Sequence, residues 1–154
     1  MNSRTVYTVL EETAKARPSG PALHQPLGQG KYQSYTWEEY RQAVQEIACG
    51  VRSIGIAKGE NVALYSETRA EFYLADIGIM SAGAVSAALY TSYPLPDLIG
   101  NLRASHARYV FVEDPKSLHA LKGAAGDLQL EFILLTGEDP AAMTLEQLRQ
   151  TGRQ

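Results

Sequence analysis

A mostly parallel α/β sheet with helices on both faces is the architecture this chain predicts, and three observations carry it. From Asn61 onward, short apolar runs alternate with segments of helical period, as strand-helix-strand units require. Runs such as "NVALYS", "RYVFVE" and "EFILLT" are near-continuously apolar rather than alternating, which suits parallel strands covered on both sides. With 45% of its 154 residues hydrophobic, the chain can bury a real core within one domain.

The elements follow in order. Val6, Val9, Leu10 and Thr13 fall on one helical face, and Pro18, Gly20 and Pro21 end that amphipathic lead-in. The stretch "ALHQPLGQGKYQSYT" holds two β-prone pieces around Gly28, Gln29 and Gly30 and predicts a hairpin. Thr36 and Glu39 are spaced as a capping box, in which each side chain satisfies the other residue's free backbone N–H. The helix they open places Trp37, Tyr40, Val44, Ile47, Ala48 and Val51 on a core-facing stripe and leaves Glu38, Arg41, Gln42 and Gln45 in water. Gly55 ends it as a left-handed cap.

Asn61 to Ser66 form the next strand, and Glu67 to Ala70 turn into a helix through Ser81 that is apolar on most sides, so it is expected between layers. Gly83 closes it, and "AVSAALY" is a small-residue strand buried in the sheet, whose exit carries Tyr90, Thr91, Ser92, Tyr93 and two prolines. Leu98, Ile99 and Leu102 mark a further helix, "RYVFVE" a strand, "SLHALKGAAG" a weak helix and "EFILLT" another strand. The tail "TLEQLRQTGRQ" is a short amphipathic helix or a frayed end. No repeat or linker divides residues 1–154, and nothing resembling a closing element follows the last strand, so an incomplete domain is expected.

Composition removes several function classes. Fourteen basic residues, scattered singly, against seventeen acidic ones provide no nucleic-acid footprint. One cysteine, Cys49, can make neither an internal disulfide nor a metal cluster, and points to a reducing cytoplasm. No segment approaches the roughly 18 apolar residues that a membrane span needs, which leaves peripheral membrane contact open.

A dinucleotide fold would place glycines directly after its first parallel strand, where backbone must approach a pyrophosphate. Here that turn is Ser66-Glu67-Thr68-Arg69, with a carboxylate where phosphate would sit, and no Walker loop occurs elsewhere. His24, His106 and His119 lie far apart at no ligand spacing and are expected in turns or on the surface, so no metal ligands are assigned. Asp76 stands in an apolar helix and is either an acid–base group or, the favoured reading, a structural hydrogen-bonding group meeting Arg69, Tyr73 or a loop. Cys49 is expected to be a small core residue rather than a nucleophile. Thr91, Ser92 and Tyr93 sit where α/β sheets place ligands, yet a structural turn is preferred for them.

The ordered set of motifs resembles the AMP-forming acyl-CoA synthetases, most of all the N-terminal part of long-chain fatty-acid CoA ligases. "TWEEY" resembles the family's T-W/Y-x-E helix start, and "GVRSIGIAKGENVALYS" its L-x-x-x-G-I/V-x-x-G-D-x-V, with Glu60 for the commoner Asp. Ser66 to Phe72 resemble S/N-x-x-R-x-E-W/F, Gly83 to Ser92 resemble G-A/V-V-x-x-P-L/T-Y-x-T, and "ARYVFVE" resembles A-K/R-x-V/I-F-V-E. Ala88 replaces a common proline, and "YPLP" compresses a longer turn.

The resemblance covers roughly Val6 to Thr136 and implies the N-terminal portion of the ligase large domain. The full enzyme would adenylate a fatty acid with ATP and Mg2+, then form a thioester with CoA. The family's phosphate loop ending in Pro-Lys-Gly, its Tyr-Gly-x-Thr-Glu segment, its ribose-binding Asp and its C-terminal lysine have no counterpart here. No catalytic, cofactor-binding or metal residue is therefore assigned, and the chain alone is expected to be inactive. A homodimer contact is a further implication. The alternatives are a stand-alone interaction or scaffold domain of the same fold, and an independent nucleotide-binding α/β protein.

Overall fold

The computed structural model describes residues 4–154. Helix α1 (Val6–Ala16) precedes an antiparallel hairpin of β1 (Pro21–Gly28) and β2 (Lys31–Thr36), whose turn residues Gly28, Gln29 and Gly30 all have positive φ. Thr36 then caps α2 (Trp37–Ser53): its hydroxyl accepts from the Glu39 N–H at 3.2 Å, and its own N–H donates to Glu39 Oε2 at 2.7 Å. Gly55, at φ 90°, turns the chain after α2 as expected.

Five strands follow in one wholly parallel sheet: β3 (Asn61–Tyr65), β4 (Val85–Leu89), β5 (Tyr109–Val112), β6 (Glu131–Leu134) and β7 (Met143–Thr144). Their spatial order is β4-β3-β5-β6-β7. The linking helices are α3 (Ala70–Ser81), α4 (Leu95–Ser105) and α5 (Pro115–Ala124), and α6 (Leu145–Gly152) follows β7. Pro94 stands at the N-cap of α4 and Pro96 in its first turn, where a missing N–H forfeits no helix bond, so the two prolines open a helix instead of breaking one.

Strand alternation divides the core. Val62, Leu64, Tyr109, Phe111 and Ile133 face α2, α3 and α6. Ala63, Val110, Val112, Phe132 and Leu134 face α4 and α5, meeting Leu98, Leu102, Leu118 and Leu121. Layers on both faces of a parallel sheet are what the apolar runs predict.

Several local expectations change. In α1 the buried row is Leu10 and Ala14, while Val6 and Val9 are exposed, because only the second half of this peripheral helix finds cover. Gln45 is half-buried, since α1 lies over it and Tyr7 Oη accepts from Gln45 Nε2 at 2.6 Å. Cys49 is exposed and not in the core: two residues from both Ile47 and Val51, it stands about 200° round the helix from each. Helix α3 is covered on only part of its circumference, for Tyr73 and Met80, sharing a face at i,i+7 spacing, reach solvent. Among the described residues strand β4 is an edge strand, not an enclosed one: it pairs there with β3 alone and is partly exposed along its length.

The tail is a capped helix. Thr144 Oγ1 accepts from the Gln147 N–H at 3.1 Å, and Gln147 Oε1 accepts from the Thr144 N–H at 2.8 Å. Helix α6 packs so closely on α2 that a Cβ at Gly50 would strike the Leu148 carbonyl, and one at Gly152 the Glu46 carbonyl. An ion cluster around one buried carboxylate fastens this crossing. Glu46, 7% exposed, accepts from Arg149 Nε at 2.8 Å and Arg153 Nη2 at 2.9 Å, and from Gln42 Nε2 at 3.0 Å. Burial pushes the Glu46 carboxyl up, but the hydrogen bonds from Arg153 and Arg149 outweigh it and hold the group below its ordinary value.

Candidate functional site

Open α/β sheets offer ligands a crevice beyond the carboxyl ends of the strands where the chain reverses its direction of travel across the sheet. In the order β4-β3-β5-β6-β7 that point lies between β3 and β5. The chain leaves β3 through Ser66, Glu67, Thr68 and Arg69, and leaves β5 through Glu113 and Asp114. Both turns are held there by the ladder, since the Glu113 N–H donates to Tyr65 O at 3.0 Å, and Thr136 donates to Glu113 O through its N–H and its hydroxyl.

Glu113 occupies this crevice. One carboxylate oxygen accepts from the Glu67 N–H at 2.7 Å and the Ser66 hydroxyl at 3.2 Å, and the other lies 3.4 Å from Arg69 Nη1. These are the donors that would bind a phosphate oxygen, and an internal carboxylate already engages them. Arg69 also donates from Nε to Glu71 Oε2 at 2.7 Å; burial opposes its charge, but Glu71 and Glu113 outweigh burial and strengthen the guanidinium's hold on its proton. The first N–H of α3, from Ala70, donates to Gln25 Oε1 of the hairpin at 2.8 Å. At α5, Asp114 Oδ1 accepts from the Ser117 N–H at 2.8 Å, and that bond holds the Asp114 carboxyl below its usual range.

The edge thus carries Glu67, Glu71, Glu113 and Asp114 against two cations, Arg69 and Lys116. Such a set repels a polyphosphate rather than cradling one, so the residues present do not fit a nucleotide's phosphates. What it does chemically is lock two strand ends and a helix start into one rigid corner.

The residues singled out in the sequence are not gathered into one site. Glu67 comes closest: its carboxylate accepts from the Thr91 hydroxyl and so ties the β4 exit to this corner. Ser92 and Tyr93 are exposed in the following turn, where Tyr93 packs edge-on against Tyr90 at 5.5 Å between centroids. Asp76 is half-buried on α3, and Arg69 is engaged by Glu71 and Glu113 instead of by Asp76. His24 pairs with Ser34 and His119 with Asp139, both at 2.8 Å on the surface, and His106 is the exposed left-handed cap of α4. Cys49 opens on a cavity of about 460 Å³ with Tyr7, Gln42 and Ser81. A cavity of about 780 Å³ beside α6 is lined by Glu138, Asp139 and Glu146, a second acidic surface. No group of three or more His, Cys, Asp or Glu among the described residues is arranged to hold a metal ion.

Sequence reasoning passed over Glu113 and the Glu46 cluster. A charged residue ending a fully apolar strand at the sheet's ligand edge was the available signal for Glu113. For Glu46 there was none locally, because its arginine partners lie more than a hundred residues away.

Comparison with known proteins matches this architecture. An uncharacterized protein of Mycobacterium tuberculosis is 33% identical over 94 residues, 61% of this chain and 52% of that protein. The long-chain-fatty-acid–CoA ligase FadD15 of Mycobacterium bovis is 26% identical over 132 residues, 84% of this chain but 22% of the ligase. Among solved structures, a benzoate CoA ligase from Burkholderia xenovorans superposes with a TM-score of 0.80 at 21% identity, over 96% of this chain and 28% of that one. The chain therefore spans about half the length of the first relative and about a fifth of the second. The model of the family described as AMP-binding enzyme matches residues 10–153. That span takes in the whole five-stranded sheet, the hairpin and helices α2 to α6, and the chain belongs to the AMP-binding enzyme family.

Proposed function

We propose that the chain is the N-terminal part of the large domain of an ATP-dependent long-chain fatty-acid CoA ligase and supplies framework rather than chemistry. The observation that carries this reading is the switch-point corner, where Glu113 takes the donors a phosphate would need. Family membership supports carboxylate adenylation, with ATP, Mg2+, CoA and a fatty acid as the ligands of the whole enzyme. Residues 1–154 are read as one incomplete domain without catalytic, cofactor-binding or metal residues of its own, inactive alone, and pairing with a second copy. No helix among the described residues is long and apolar enough to cross a membrane, which is compatible with a cytoplasmic enzyme making peripheral membrane contact.

One observation favours a second reading, a stand-alone interaction domain of the same fold. Ninety-four matched residues make up 52% of the M. tuberculosis relative, so that protein is itself of this chain's size class rather than ligase-sized. The intact mass of the native product in its source cells separates the two. A product several times heavier than 16.8 kDa supports the ligase reading, and one of that mass overturns it in favour of the interaction domain. ATP–pyrophosphate exchange by the purified chain, expected to be absent, would overturn the reading of residues 1–154 as inactive.

A further inference from the structure

We draw no further inference here: the strongest candidate, the cavity of about 460 Å³ between α1, α2, α3 and α6 onto which Cys49 opens, rests on a lone exposed cysteine, and nothing in the structure shows what covers or fills it.

Discussion

The two edges of the sheet are built on opposite terms. At β7 the strand is two residues long, and the helix that follows it turns back onto α2, sealed by Gly50 and Gly152 and fastened by Glu46 to Arg149 and Arg153. At β4 the strand is five residues long, no strand among the described residues meets its outer side, and the neighbouring side chains are small or exposed. Within one sheet, then, one border is a two-residue strand whose following helix is locked onto the α2 layer, and the other is a five-residue strand with its outer side open among the described residues. The lesson is that burial in an α/β layer depends less on how apolar a strand is than on what lies beside it. "AVSAALY" reads as a core strand and ends half in solvent.

Four measurements break or sharpen that contrast. The largest expected effect is at the α2–α6 crossing: Leu148→Ala removes a fully buried side chain of α6 and is expected to cost about 2–5 kcal/mol in chemical denaturation. A smaller loss would mean that α6 is an appendage to the sheet and not part of its core layer. Next, Glu46→Gln keeps the volume but removes the buried carboxylate that Arg149 and Arg153 share, leaving them Glu146. A loss of about 1–3 kcal/mol is expected, moderated because both arginines keep Glu146 and access to water.

The same residue makes the α2–α6 crossing acid-sensitive. Because its folded carboxyl titrates below its ordinary value, the folded state binds fewer protons between the two values than the unfolded chain. Its stabilising contribution is complete above the unfolded carboxylate pKa of about 4.3 and is lost as pH falls through the folded value. Unfolding followed from neutral to acid pH should therefore show a steeper acid limb for the native chain than for Glu46→Gln. Parallel limbs would show that other carboxylates dominate. The smallest effect belongs to the open edge, where Val85→Thr on a partly exposed strand is expected to change monomer stability by no more than about 0.5 kcal/mol. A loss as large as at Leu148 would show that β4 is integral to the core after all.

Much of this molecule was legible because it is written locally. The Thr36–Glu39 box, the turn around Gly28 to Gly30, the stripe from Tyr40 to Val51 and the apolar runs of β3, β5 and β6 each declare themselves within a few residues. Helix α6 announced itself too, through Thr144 and Gln147, although its tail composition left fraying open. The candidate site was half legible: Glu67 argued against phosphate binding from its place after β3, but Glu113, which fills the crevice, lies 46 residues further on.

By itself the sequence determined the element types, their alternation and hence a parallel sheet with helices on both sides, because helical and strand periods are properties of neighbouring residues. Only the tertiary structure decided the strand order, the exposure of Cys49 and β4, the partnership of Glu46 with Arg149 and Arg153, and the closing of the switch-point corner by Glu113. Those depend on which surfaces meet across long separations, and periodicity records that a face must be covered without recording what covers it.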